Sequence, residues 1–84
     1  MNDKIYIRCD RFPSVMYTED IINPNEEIDN FIKRYIDKYA KYIYYTNYKI
    51  YDYNNFFEHT NPIDIPLYLF VGDLKSNNLY LVMS

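Results

Sequence analysis

The stretch NPNEEIDNFIKRYIDKYAKYIYY, residues 23–45, decides the fold class. Asn23 is suited to cap a helix, because its side-chain oxygen accepts from a free backbone N–H. Pro24 suits the first helical position, where its missing N–H costs nothing. Glu26 stands three residues after Asn23, a variant of the capping box. At 100° per residue, Ile28, Phe31, Ile32, Tyr35, Ile36, Tyr39, Tyr42 and Ile43 share a face about 140° wide. Lys33, Arg34, Asp37 and Lys41 fall opposite, with Lys38 at the edge of the stripe. Glu26, Glu27 and Asp29 complement the positive end of the helix dipole, and Lys38 and Lys41 the negative end. Asp29 with Lys33, and Asp37 with Lys41, have favourable i,i+4 order. The pattern predicts an amphipathic helix from Asn23 to about Tyr45, too broad in its apolar stripe for a two-stranded coiled coil and suited to lying on a sheet.

The flanking sequence predicts that sheet. Lys4–Cys9 alternates, with Ile5, Ile7 and Cys9 on one side and Tyr6 and Arg8 on the other. Asp10 to Ser14 reads as a turn, Val15 to Thr18 as a short returning strand, and Glu19 to Ile22 as a connection. Tyr48 to Tyr53 alternates weakly. Asn54 to Pro66 reads as loop, from its Asn54-Asn55, Asn61-Pro62 and Ile65-Pro66 steps, with Phe56, Phe57, Ile63 and Ile65 available to anchor it to the core. Leu67–Val71 and Leu79–Met83 are the strongest strand signals, and Gly72 with Asp73, Lys75, Ser76, Asn77 and Asn78 suits a hairpin between them. The expected fold is α+β: a small antiparallel sheet of three to five strands with one long amphipathic helix packed on one face. Residues 1–84 are expected to form a single domain, since a chain of 84 residues allows one.

Strand alternation separates two kinds of surface. One parity holds Ile5, Ile7, Cys9, Leu67, Leu69, Val71, Leu79, Leu81 and Met83, which fit beneath a helix. The other holds Tyr6, Arg8, Tyr68, Phe70, Tyr80 and Val82. One helix covers one side of a sheet. The aromatic side must be covered by the 48–66 region, by a second copy, or by a partner. Tyr and Arg are enriched in interface hot spots because they join large contact area to a polar handle. Tyr6, Arg8, Tyr68, Phe70 and Tyr80 are therefore the expected centre of a partner-binding surface. Glu19, Asp20, Glu26, Glu27 and Asp29 form an acidic rim that would steer toward a basic surface. Dipole complementarity and solubility account for the same five acids without a partner.

Composition narrows the chemistry. The net charge of −3 disfavours a nonspecific DNA binder. A lone cysteine, Cys9, excludes an intrachain disulfide and suits a reducing interior. Met1-Asn2-Asp3-Lys4 leads into alternating residues and reads as no signal peptide. No apolar stretch reaches the length of a membrane span. A cytoplasmic location is expected.

Cys9 and His59 are a conceivable nucleophile and base, but Cys9 lies on the aliphatic parity, where a small core residue belongs. Structural zinc needs about four Cys or His ligands, and two exist. Asp73-Leu74-Lys75 has the spacing of a nuclease-type D-x-K element, which also requires a further carboxylate at the metal. A single glycine builds no phosphate loop. No catalytic residue, metal or cofactor is expected.

Eight of the twelve tyrosines lie between Tyr35 and Tyr53, and Ile, Asn, Lys, Tyr, Phe and Met supply over half the chain. All six have AT-rich codons, so coding bias accounts for part of this richness. The expected function is a non-enzymatic protein-binding module that occludes a basic functional surface of a host protein, such as a nucleic-acid-binding effector. Size and composition fit the general run of phage- or mobile-element-encoded inhibitors, including anti-CRISPR-type proteins, and no motif identifies a family. The competing readings are a single-stranded RNA or DNA binder that stacks bases on the aromatic face, and a structural protein that self-associates as a homodimer.

Overall fold

The computed structural model describes residues 4–84; the reading of Met1–Asp3 lies outside them. The first strand, β1 (Lys4–Cys9), buries Ile5, Ile7 and Cys9 completely. A turn tied by Phe12 N–H to Cys9 O (3.1 Å) and Val15 N–H to Phe12 O (3.1 Å) leads back into β2 (Tyr17–Asp20). The return strand begins two residues later than the predicted Val15, because residues 12–15 still belong to the turn.

The fourth strand in chain order, β4 (Asn78–Met83), pairs parallel with β1 and antiparallel with β3 (Tyr48–Asp52). The order β2-β1-β4-β3 makes the sheet mixed rather than antiparallel. Leu79, Tyr80, Leu81 and Met83 are all buried, the near-continuous burial of a central strand.

The predicted strand Leu67–Val71 and its hairpin do not form. Leu67 and Tyr68 lie in a turn, Phe70 bridges Glu27, and Val71–Asp73 closes a 3₁₀ turn. This segment caps the helix instead. Ile28 N–H donates to Leu69 O (2.8 Å) and Asp29 N–H to Leu67 O (3.0 Å). Val71 N–H returns to Glu26 O and Gly72 N–H to Pro24 O, each at 2.8 Å. A Cβ on Gly72 would stand 2.9 Å from both Cβ and O of Pro24. The glycine permits a close backbone approach rather than a hairpin turn.

The helix α1 spans Ile28–Tyr39, twelve residues, and so is shorter at both ends than predicted. At its start the Asn23 side chain accepts from Asn25 N–H (3.0 Å), a local Asx turn. Glu27 is the N-cap and its side chain makes no capping bond. The Leu67 and Leu69 carbonyls satisfy the free donors that a side-chain cap would have taken. At the other end Tyr42 and Tyr44 are exposed. Ile28, Phe31, Ile32, Tyr35 and Ile36 are buried and join Ile5, Ile7, Cys9, Ile50, Leu79, Leu81 and Met83 in one core. Each fully buried Ile or Leu contributes about 1.5–3 kcal/mol. Leu67, Leu69 and Val71 also pack on this core, so their predicted inward side holds without a strand.

A second helix, α2 (Tyr53–Glu58), replaces the start of the predicted loop. Asp52 is its N-cap, with Oδ1 accepting from Asn55 N–H (3.0 Å). No helix among the described residues is long and apolar enough to cross a membrane.

Candidate protein-binding face

Backbone pleat places Lys4, Tyr6 and Arg8 of β1, Tyr80 and Val82 of β4, and Lys49 and Tyr51 of β3 on the side of the sheet away from α1. Tyr80 sits between Arg8 and Tyr51 in the strand register. From above, α2 lays three rings on it: the centroids of Tyr53, Phe57 and Phe56 lie 5.7, 5.2 and 4.9 Å from that of Tyr80. Tyr80 is only 7 % exposed. Burial pushes its phenol pKa up, with Asp10 adding to the effect. It is the seat of the face rather than a contact surface.

Around this seat the face stays open. The Arg8 guanidinium lies 4.5 Å from the centroid of the Tyr53 ring, a cation–π contact that holds the charge at the surface. Tyr6 is 40 % exposed and Phe57 60 % exposed. Tyr53 and Phe57 touch at 5.0 Å, the i,i+4 neighbours of one helical turn. Tyr6, Arg8, Tyr53 and Phe57 thus form an aromatic surface with one guanidinium, carried on β1 and α2 and packed from beneath.

Of the five central residues selected from the sequence, the structure brings together Tyr6, Arg8 and Tyr80. Tyr68 and Phe70 are 73 % and 44 % exposed but lie in the capping segment beside Glu27, not on the sheet. Their grouping with Tyr6 assumed a strand that does not form. Tyr53, Phe56 and Phe57 were not among them: the sequence reading gave the 48–66 region as a cover for this face and Phe56 and Phe57 as loop anchors, and the structure sets the three rings on a helix over Tyr80. Their signal was Asp52 three residues before Asn55, a cap ahead of aromatic residues at helical spacing.

The acidic rim is largely neutralised from within. Glu19 accepts from Lys38 Nζ (3.0 Å) and Tyr39 OH (2.7 Å). The Tyr39 bond, then Lys38, lowers its pKa. Asp29 pairs with Lys33 at 3.0 Å and accepts from Tyr48 OH. The Tyr48 bond is the main cause of its lowered pKa. Glu26 pairs with Arg34 and raises the arginine's pKa. Asp20 and Glu27 are exposed and form no ion pair among the described residues.

Cys9 is fully buried, with Sγ 3.5 Å from Met83 Sδ. Burial raises its thiol pKa, which disfavours the thiolate. His59 is exposed at the end of α2. Asp73 is exposed in the 3₁₀ turn. Among the described residues no three His, Cys, Asp or Glu side chains converge to hold a metal ion. No protein-family model, no curated protein and no solved structure matches this chain.

Proposed function

We propose that the chain is a non-enzymatic protein-binding module that acts inside the cell by covering a functional surface of another protein. The observation that carries this reading is the half-open aromatic face of Tyr6, Arg8, Tyr53 and Phe57 over the buried Tyr80. A rigid platform of rings with a guanidinium fits a binding hot spot, because the rings are already ordered before the partner arrives. Size and composition alone support the further step to a phage- or mobile-element-encoded inhibitor.

The test compares the native chain with an Arg8→Ala, Phe57→Ala double variant as baits in cells of the source. Phe57 is exposed and Arg8 is half-buried against Tyr53, and neither belongs to the core, so circular dichroism should stay unchanged. A protein retained by the native chain and lost from the double variant supports the reading. Retention by both baits would sink it. So would tight binding of single-stranded oligonucleotides with a steep salt dependence, the mark of a nucleic-acid binder.

A further inference from the structure

A second concavity lies outside the aromatic face. The β3–α2 junction, residues 63–66 and residues 69–76 enclose a groove of about 400 Å³. Its apolar lining comes from Ile63, Ile65, Leu69 and Leu74. Ile65, Leu69 and Leu74 also pack on the core, and Ile65 N–H bonds Ile50 O at 2.7 Å. The floor is therefore anchored, whereas Ile63 stands 84 % exposed at the groove. An aliphatic residue so placed gains most by being covered.

The same groove carries Asp52, Asp64 and Asp73 against one cation, Lys75. None of the three aspartates forms an ion pair among the described residues. The contrast is the cavity of about 280 Å³ between β2 and α1. There Glu19 and Lys38 pair with each other and Arg34 pairs with Glu26. Among the described residues that cavity leaves one carboxylate, Asp37, outside an ion pair, while the groove leaves three against one lysine. Its carboxylates do not converge as a metal site would. Separated charges match separated cations on an extended ligand.

We propose that this groove takes a peptide segment of a partner protein that joins an aliphatic or aromatic side chain to flanking Lys or Arg. The apolar side chain covers Ile63 and rests on Leu69 and Leu74. The cations reach Asp64 and Asp73, where charge-assisted hydrogen bonds set orientation and selectivity. A volume of this size lies in the range of side-chain and small-ligand pockets. The site is separate from the aromatic face and extends the protein-binding reading by naming the chemistry of a partner.

The test pans the native chain against phage-displayed random dodecapeptides. An enriched peptide is then titrated by calorimetry and by amide NMR shifts. The expected consensus pairs a basic residue with a large apolar one, and the shifts centre on residues 63–76. Asp64→Asn with Asp73→Asn, both exposed, should weaken binding at least about tenfold, and added salt should weaken it further. Lys75→Glu should strengthen it. Absence of enrichment, a consensus without cations, or affinity indifferent to the aspartates would overturn the proposal. A peptide lost on Arg8→Ala, Phe57→Ala but not on the aspartate changes would overturn the groove while leaving the aromatic face standing. Dimerisation of the free chain abolished by the aspartate changes would overturn it too, by seating a second copy there.

Discussion

The two faces of the sheet differ in chemistry and in closure. Beneath α1 the side chains are mostly aliphatic, and Ile5, Ile7, Cys9, Leu79 and Leu81 are inaccessible to solvent. Beneath α2 they are rings with an arginine, and only the middle is sealed. A twelve-residue helix and its capping segment close one side, while six residues shield part of the other. Fold stability should therefore reside on the first face and recognition on the margin of the second.

Neighbours on β1 test that division most sharply. Ile7→Ala, on the sealed side, should cost about 2–5 kcal/mol, measured by urea unfolding. Tyr6→Ala, one residue away on the open side, should cost about 1 kcal/mol or less. Equal losses would erase the distinction. Tyr80→Ala should behave as a core change, at roughly 3 kcal/mol, because three rings of α2 rest on it. If its stability held and only partner binding failed, α2 would not seal the middle of the face.

Gly72→Ala asks whether the closing segment of the α1 side is as tightly placed as its contacts imply. The added methyl meets Pro24 backbone as well as side chain at 2.9 Å. A loss of about 1–3 kcal/mol is expected by thermal unfolding. A neutral result would show that residues 67–72 yield readily.

A smaller effect concerns acid. Glu19 and Asp29 have carboxyl pKa values lowered by hydrogen bonds from Tyr39 and Tyr48. A lowered pKa stabilises the fold above the ordinary carboxylate range, and that contribution fades as pH falls through the lowered values. Glu19→Gln with Asp29→Asn should flatten the acid limb of stability measured from pH 7 downward. An unchanged limb would remove these bonds from the account of how α1 is held to β2 and β3. The smallest change is expected for Phe57→Ala, within roughly 1 kcal/mol and with an unaltered circular dichroism spectrum.

Parity was the most legible property of the sequence. Ile5, Ile7, Cys9, Leu79, Leu81 and Met83 all lie in the core as alternation predicts. The α1 residues Ile28 to Ile36 followed from helical spacing alone. What could not be read was non-local. The Asn23-Pro24 start is a sound local signal, yet carbonyls about forty positions away supply the cap. Leu67–Val71 has strand-like residues, but the Leu67 and Leu69 carbonyls and the Val71 N–H bond to the start of α1 and the turn before it instead of to a neighbouring strand. The parallel β1–β4 pairing depends on a crossover that no short window reveals. For the candidate site, Tyr6 and Arg8 were visible from alternation. Tyr53 and Phe57 were hidden by two asparagines that read as loop while serving the first turn of α2.

The Leu67 and Leu69 carbonyls make the amides of Ile28 and Asp29 into a built-in gauge. Hydrogen exchange at those amides requires the 67–69 segment to lift away, so their protection reports how often it does so. Leu69 also belongs to the groove wall. A molecule settling there would slow deuterium uptake at an amide of α1, a helix that contributes nothing to the groove's lining.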